Sequence, residues 1–257
     1  MTKTLLMVHG VGCGGEVWRR MKREFEMAGW MCDAPTLFED LRTPDTPPER
    51  LAELRLSDYV DAISEKAHEM TEQTGAAPVI IGHSMGGLIA QHLVESGSAR
   101  GGIFLTPAQP AGCTVTDLRV LRTFWNIVKV GQKNVPGGVF KVGQKGFRWG
   151  VLNVVPKTRH DEIYAGALYD SGWVYHDLAN PGSIDEAQIK VPTLTIGAKR
   201  DRATVIKAVR KVGEKYAKAA CPGDYIEYGR HAHWIVDEPG TEQVSADILE
   251  WLDAKFG

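Results

Sequence analysis

The sequence predicts an α/β fold, with a mostly parallel central sheet of about six strands flanked by helices and interrupted by a helical lid insertion. Short apolar runs alternate with longer segments of helical periodicity, as in parallel sheets wrapped by helices. The run Pro78–Ile81 is continuously apolar, which is typical of a strand covered on both faces. Residues 107–190 lack this rhythm and are too long for a simple connection within a compact domain.

Six strands and five helices follow from these patterns, taken in chain order. The predicted strands are Thr4–Val8, Trp30–Ala34, Pro78–Ile81, Gly101–Thr106, Val191–Ile196 and Asp224–Tyr228. The predicted helices are Gly15–Ala28, Ser57–Thr74, Met85–Ser96, Ala203–Lys218 and Thr241–Lys255. The last helix places Val244, Ile248 and Leu252 on one apolar stripe. We therefore expect a core formed by residues 1–106 and 191–257, with residues 107–190 as an inserted lid or cap.

Composition and charge exclude several classes of protein. The chain has 257 residues and a formal charge of -2, so no global attraction to nucleic acid or to anionic membranes is expected. No apolar run is long enough to span a bilayer, and no signal peptide is expected at the start. The four cysteines are far apart and form no CxxC pair, which argues against a zinc site and a disulfide framework. We expect a cytoplasmic protein with no metal and no cofactor.

The strongest local signal is the segment Gly82-His83-Ser84-Met85-Gly86, between a predicted strand and a predicted helix. A nucleophile on such a sharp turn needs small residues two positions before and after it, because the chain folds tightly on itself. The helix that follows directs its first amides toward the place where an oxyanion would develop. Ser84 is therefore the candidate nucleophile.

A second glycine-rich turn ends the first predicted strand, at Val8-His9-Gly10-Val11-Gly12. Glycines let backbone amides face a cavity. The amides of Val11 and Met85 are candidates for binding the oxygen of a tetrahedral intermediate. Taken alone, His9-Gly10 would be an ordinary glycine turn, and its functional interpretation depends on Ser84.

With these motifs the sequence resembles the α/β-hydrolase superfamily, in its lidded, serine esterase-like form, over essentially its whole length. Ile196–Asp201 resembles the family's strand followed by an acid, and Arg230–Trp234 resembles its histidine loop. The order Ser, Asp, His along the chain is also the family's order. The resemblance implies that Asp201 orients His233, which acts as the general base. Only three residues precede Thr4, so we expect the family's two leading strands to be absent and the sheet to have six strands.

The general base and its orienting acid each have alternatives close to His233 in sequence. His233 is favoured over His231 because the resemblance matches the histidine that precedes an aromatic residue, which leaves His231 a supporting role. Asp237 and Glu238 are alternatives to Asp201, but we expect them to begin the last helix, where acids interact favourably with the helix dipole. The resemblance also implies that His83, inside the elbow, points away from Ser84.

The resemblance implies a carboxylesterase-like serine hydrolase that cleaves an ester, thioester or lactone through an acyl-Ser84 intermediate. Non-hydrolytic enzymes on the same fold use the same triad, so a hydroxynitrile lyase, an acyltransferase or a perhydrolase remains an alternative. A small-molecule receptor with slow turnover is a third possibility. Epoxide hydrolases and haloalkane dehalogenases are disfavoured, since their elbow carries an aspartate where this chain has Ser84.

The predicted lid mixes aromatic side chains with nine Lys or Arg residues between Arg119 and Arg159. Such a mixture can indicate nucleic-acid binding. A solvated outer face and an apolar inner face explain it better, because the whole chain is not basic. We therefore expect a small apolar ester-type substrate. The candidate residues for contacting it are Gly10, Trp18, Phe124, Trp125, Trp149 and Trp173, with Trp18 alternatively anchoring the first helix.

Overall fold

The computed structural model describes residues 2–257 and confirms the predicted α/β architecture. Its strands are β1 (Thr4–Val8), β2 (Met31–Asp33), β3 (Val79–His83), β4 (Gly101–Leu105), β5 (Val139–Phe140), β6 (Asp170–Ser171), β7 (Thr193–Ala198) and β8 (Asp224–Tyr228). Six of these form one sheet in the order β2-β1-β3-β4-β7-β8, and every pairing in it is parallel. The two remaining strands, β5 and β6, pair with each other in antiparallel orientation.

Helices cover both faces of the central sheet. They are α1 (Arg19–Met27), α2 (Leu56–Thr74), α3 (Met85–Glu95), α4 (Leu118–Thr123), α5 (Trp125–Val128), α6 (Gln144–Gly146), α7 (His160–Ala165), α8 (Gly172–Ala179), α9 (Ile206–Tyr216) and α10 (Thr241–Phe256). Short 3₁₀ turns cover Gly15–Trp18, Glu49–Glu53, Lys157–Arg159 and Glu186–Gln188, and a π-helical turn covers Phe147–Val151. No helix within residues 2–257 is long and apolar enough to cross a membrane.

The alternation of side chains along the strands divides the core into two layers. Leu5 and Met7 of β1 pack on one side of the sheet, with residues of α1 and α10 such as Phe25. Leu6 of the same strand packs on the other side, with residues of α2 and α3 such as Ile63. Successive strand residues point to opposite faces, so a parallel sheet buried on both sides needs the continuous apolar runs seen in the sequence.

The predicted elements differ from the observed ones mainly at their ends. The predicted helix Gly15–Ala28 is a 3₁₀ turn followed by α1. The predicted helix Ala203–Lys218 begins only at Ile206, because the residues before it bend around Asp201. Asp237 and Glu238 do not begin the last helix, contrary to expectation. Gly240 has a left-handed backbone with φ of 95°, and α10 starts after it, at Thr241.

Residues 107–190 lie between β4 and β7 and contain α4 to α8 together with the β5–β6 pair. This segment contacts the loops that follow the carboxyl ends of the central strands. Leu168 donates a backbone hydrogen bond to Gly12, which follows β1, and Arg202, which follows β7, donates to the Trp149 carbonyl. Ligands bind α/β sheets at this edge, so the segment covers the edge where a site is expected.

Candidate active site

Ser84 lies at the sharp turn between β3 and α3. Its backbone has φ of 56° and ψ of -117°, a conformation that costs energy for any residue with a side chain. The turn also needs glycine on either side. A Cβ on Gly82 would lie 1.9 Å from the Gly86 carbonyl oxygen, and a Cβ on Gly86 would lie 2.1 Å from the Val8 carbonyl oxygen. The motif therefore places the Ser84 side chain at the carboxyl end of β3.

The structure brings Ser84, His233 and Asp201 into one chain of hydrogen bonds. His233 Nε2 lies 3.1 Å from Ser84 Oγ, and His233 Nδ1 lies 2.8 Å from Asp201 Oδ2. All three residues are buried, at 8%, 4% and 0% exposure respectively. A carboxylate only accepts, so Nδ1 carries the proton that it donates to Asp201. Nε2 is then free to accept the proton of the serine hydroxyl.

Asp201 is held by the residues that follow it. Its Oδ1 accepts hydrogen bonds from the amides of Ala203, at 2.7 Å, and Thr204, at 2.9 Å. The Thr204 hydroxyl lies 2.8 Å from Oδ2 and 2.9 Å from the Thr106 carbonyl oxygen. These contacts hold the Asp201 carboxylate in the orientation in which it accepts from His233. Thr204 was not among the predicted site residues, although an acid that bonds the amides two and three positions later is a recognised turn motif.

His83 stabilises the loop that carries His233. Its Nε2 donates to the His233 carbonyl oxygen at 2.7 Å, and the two imidazole rings lie 4.8 Å apart. Burial, and then the neighbouring His233, lower the pKa of His83 to about 3, so this ring is neutral. The side chain is thus turned from the serine toward the backbone of the histidine loop.

Glu238 anchors the same loop from the other side. The carboxylate is buried and accepts from the Ala232 amide at 2.7 Å and from His231 Nδ1 at 2.8 Å. Asp237 is turned outward and pairs with Arg159. Of the acids near His233 in sequence, one therefore supports the loop and the other forms a surface ion pair. Neither is among the hydrogen-bond partners of the His233 ring, which are Asp201, Thr204 and Ser84.

The turn after β1 lies directly against Ser84. A Cβ on Gly10 would come within 3.0 Å of Ser84 Cβ. The amides of Val11 and of Met85, the first residue of α3, have no hydrogen-bond acceptor among residues 2–257. Two free amides beside a nucleophile, one of them at the positive end of a helix, can stabilise negative charge on a tetrahedral oxygen.

Ser84 opens into an apolar cavity of about 320 Å³. Its walls come largely from residues 107–190, and they include Val120, Phe124, Ile127, Val135, Tyr175 and Leu178. Val11 and Thr204 lie on the core side of the same cavity. A larger cleft of about 760 Å³ between α1 and α7 has both apolar and charged residues in its wall, and Ser84 is not among them. The smaller cavity is therefore the one that a reacting molecule would occupy.

Of the aromatic residues predicted to contact a substrate, Phe124 lines the cavity beside Ser84. Trp125, the first residue of α5, follows Phe124 but is 60% exposed, because consecutive residues at the start of the helix point to different sides. Trp18 is fully buried and meets the edge of His83, with ring centroids 6.5 Å apart. It anchors the first helix, which is the alternative role considered from the sequence.

The other two tryptophans lie outside the cavity, stacked against arginines. The Trp149 ring is contacted by the guanidinium groups of Arg122 and Arg202, at 4.1 and 4.5 Å from its centroid. Arg55 lies 4.3 Å from the centroid of the Trp173 ring. Cation–π contacts of this kind stabilise partly exposed aromatic side chains. These two rings thus attach residues 107–190 to the rest of the molecule.

The possible metal ligands of this chain are its acidic, histidine and cysteine side chains. Within residues 2–257, no group of three or more His, Cys, Asp or Glu side chains is arranged to hold a metal ion. The four cysteines are free.

Comparison with known proteins gives one family and many similar folds. The model of the alpha/beta hydrolase family matches residues 5–246. A tomato methylketone synthase I variant, complexed with β-ketoheptanoate, superposes with a TM-score of 0.74 at 17% identity, covering 99% of each chain. A monoacylglycerol lipase from Paleococcus ferrophilus has a TM-score of 0.70 at 19% identity, covering 98% of this chain and 94% of its own. A methylesterase from Arabidopsis has a TM-score of 0.70 at 16% identity, with 97% and 98% covered. A search of curated protein sequences found no match.

Proposed function

The chain belongs to the α/β-hydrolase family, and from this premise we propose that it hydrolyses carboxylic esters, thioesters or lactones through an acyl-Ser84 intermediate. The observation that carries the proposal is the hydrogen-bonded chain from Asp201 through His233 to Ser84, which ends at an apolar cavity. A serine hydroxyl becomes nucleophilic when a base removes its proton during attack, and His233 Nε2 lies where that base must be.

In the acylation step, Ser84 Oγ forms a bond to the carbonyl carbon while its proton passes to His233 Nε2. The carbonyl oxygen becomes negatively charged, and the amides of Val11 and Met85 donate hydrogen bonds to it. The tetrahedral intermediate then collapses, and the bond to the leaving oxygen or sulfur breaks. His233 gives its proton to that leaving group, and the acyl group stays on Ser84.

Deacylation repeats these steps with water in the place of Ser84. His233 takes a proton from water as the water oxygen attacks the acyl carbon, and returns that proton to Ser84 Oγ as the carboxylic acid leaves. Asp201 keeps the proton of neutral His233 on Nδ1 and stabilises the imidazolium that forms in each step. These reaction steps require no redox change and no external cofactor.

The cavity favours a substrate with an apolar acyl group. Its walls near Ser84 are side chains such as Val120, Phe124 and Leu178, and removing apolar surface from water stabilises a complex by roughly 25 cal/mol per Å². Two of the similar structures are named a lipase and a methylesterase, which agrees with ester chemistry. We further propose that residues 107–190 act as a lid, since they supply most of this wall, while residues 1–106 and 191–257 form the catalytic core.

A panel of para-nitrophenyl esters with increasing acyl length tests this function. We expect turnover that rises with acyl length and then falls once the cavity is full. Ser84→Ala should abolish it without unfolding the protein, because only a hydroxyl is lost. A serine-directed phosphonate should label Ser84 alone. If Ser84 is labelled but no ester, thioester or lactone turns over, the hydrolytic assignment is wrong, and a lyase, transferase or receptor function is indicated.

A further inference from the structure

A buried ionic cluster lies behind the turn that carries the Val11 amide. Arg42 follows β2, within residues 1–106, and Asp170 begins β6, within the segment 107–190. Both side chains are fully buried. Arg42 Nε lies 2.6 Å from Asp170 Oδ1 and Nη2 lies 3.0 Å from Oδ2, which is the bidentate geometry that arginine favours with carboxylates.

Further hydrogen bonds of the cluster join it to the turn and to Tyr59. Asp170 Oδ2 accepts a hydrogen bond from the Gly12 amide, and Oδ1 accepts one from the Tyr59 hydroxyl at 2.8 Å. Arg42 Nη2 donates to the Cys13 carbonyl oxygen at 2.8 Å. Burial alone would lower the pKa of Arg42, but the Asp170 carboxylate raises it above its ordinary value, so the guanidinium stays charged. The cluster is therefore a charged pair with further hydrogen bonds to the Tyr59 hydroxyl and to the backbone of the turn at Gly12 and Cys13.

His9 fixes the other side of the turn. Burial, and then the charge of Arg42, lower the pKa of His9 to about 3, so its ring is neutral and has one donor and one acceptor nitrogen. Nε2 accepts from the Leu37 amide at 3.1 Å, so Nδ1 carries the proton and donates to the Gly10 carbonyl oxygen at 2.9 Å. Arg42 Nη1 lies 3.3 Å from the same Nε2.

These contacts determine the direction of the Val11 amide through peptide geometry. The Gly10 carbonyl and the Val11 N–H belong to one planar trans peptide unit, in which they point in opposite directions. The Val11 carbonyl and the Gly12 N–H belong to the next unit. His9 holds the first unit and Asp170 holds the second, so the peptide units on both sides of Val11 Cα are fixed.

We propose that Asp170, supported by Arg42, Tyr59 and His9, is the positioning residue that aims the Val11 amide at the developing oxyanion. This inference rests on the proposed ester chemistry at Ser84. Asp170 belongs to the segment 107–190, whose Leu168 also donates to the Gly12 carbonyl at 2.9 Å. The segment that forms the cavity wall thus also orders one of the two amides that bind the oxyanion.

The choice of charged residues supports a geometric role. Buried ion pairs contribute little net stability compared with well-packed apolar residues, and they are retained in some proteins because they specify one arrangement. Here an apolar replacement would leave the Gly12 amide and the Cys13 carbonyl without partners. The fixed fork of Arg42 and the two oxygens of Asp170 satisfy both groups in one geometry.

Two ketones separate a positioning role from a purely structural one. With a trifluoromethyl ketone shaped like the substrate, Ser84 Oγ adds to the carbonyl carbon and the carbonyl oxygen becomes an oxyanion. The proton of the serine hydroxyl passes to His233. The matching methyl ketone binds in the cavity without this addition. We expect Asp170→Asn to lower kcat by about 100-fold, the scale of losing one oxyanion donor. Affinity for the trifluoromethyl ketone should fall in parallel, whereas KM and methyl ketone affinity should change by less than about threefold.

A pair of tyrosine variants provides a matched test that removes neither of the two buried charges. Tyr59 and Tyr216 are both buried, and each donates one hydrogen bond, to Asp170 and to Gln91 Oε1 respectively, at 2.8 and 2.7 Å. Each Tyr→Phe substitution removes one such bond, but only Tyr59 touches the cluster. We expect Tyr59→Phe to weaken trifluoromethyl ketone binding severalfold and to spare the methyl ketone. Tyr216→Phe should leave both affinities and kcat unchanged.

The ketone affinities of these variants can overturn the positioning role of Asp170. Equal losses for the two ketones in Asp170→Asn, or no loss for either, would show a structural role only. If Asp170→Asn does not fold, the tyrosine pair decides, and identical behaviour of Tyr59→Phe and Tyr216→Phe refutes the positioning role. The ketone comparison is independent of ester turnover. A wild-type protein that hydrolyses no ester but binds the trifluoromethyl ketone more tightly than the methyl ketone would refute the proposed function and leave this test intact.

Discussion

Replacing Asp201 by asparagine should reverse the tautomer of His233. Asp201 Oδ1 accepts two backbone amides, from Ala203 and Thr204, so the carbonyl oxygen of an asparagine side chain must take that place. Its NH₂ group then occupies the Oδ2 position, 2.8 Å from His233 Nδ1. Nδ1 becomes the acceptor, the ring proton moves to Nε2, and Nε2 can no longer accept the proton of Ser84.

The expected loss is large because the fold keeps the wrong tautomer in place. Loss of tautomer control in a serine triad lowers kcat by about 10⁴-fold, or about 5 kcal/mol of transition-state stabilisation. The side chain keeps its shape and its two amide donors, so we expect KM and the melting temperature to change little. Steady-state kinetics on a para-nitrophenyl ester, together with the rate of phosphonate labelling at Ser84, would measure the effect.

Asp237→Asn is the matched control. Asp237 is one of the two alternative acids near His233 in sequence, but it pairs with Arg159 and Arg20 at the surface, and such pairs contribute little. We expect kcat to change by less than about twofold. If Asp237→Asn were the more damaging substitution, or if Asp201→Asn retained most of its activity, the assignment of the orienting acid would be refuted.

Three further predictions follow from the cavity, the lid and the buried histidines. Lengthening the acyl chain of the ester by two carbons should raise kcat/KM roughly tenfold until the cavity is full. Phe124→Ala should move the optimal acyl length to longer chains, whereas Trp125→Ala, at an exposed position, should not. If kcat/KM did not depend on acyl length in the wild type or in either variant, the cavity assignment would be contradicted. Amide hydrogen exchange should be faster across residues 107–190 than in β3, and equal protection would argue against a mobile lid. His9 and His83 have a folded pKa of about 3, far below the unfolded value of about 6.5, so the unfolded chain binds more protons in this window. Their stabilisation is fully present above pH 6.5 and is lost as the pH falls toward 3, by about 1.4 kcal/mol per pH unit for each histidine. Urea denaturation between about pH 6.5 and 5 measures this, because carboxylates titrate mostly below that range; an unfolding free energy that does not change there would refute the burial argument.

The sequence predicted those parts of the molecule that depend on local chemistry. Ser84 could be found because its turn requires Gly82 and Gly86 within the same short segment, and the structure gives the steric reason. The six strands could be found because a sheet buried on both faces needs apolar runs. His233 and Asp201 were chosen by resemblance to a family, since no local pattern relates residues that are 32 positions apart.

The parts that the sequence did not predict depend on distant contacts. Arg42 and Asp170 are 128 positions apart, and neither carries a motif of its own. Among the aromatic residues of the segment 107–190, hydrophobicity alone did not distinguish Phe124, which faces the cavity, from Trp149, which stacks between two arginines. Glu238 was expected at a helix start and instead supports the histidine loop, because Gly240 delays the helix. In each case the tertiary partner decides the role.

Trapping the acyl intermediate would test the central claim most directly. The protein is mixed with an excess of a para-nitrophenyl ester, quenched in acid during steady-state turnover, digested, and mapped by mass spectrometry. We predict that the peptide containing Ser84 gains the mass of the acyl group, that Ser84 carries it, and that Ser84→Ala shows no such gain. Ester turnover without any acylated peptide, or with the acyl group on another residue, would contradict the proposed mechanism.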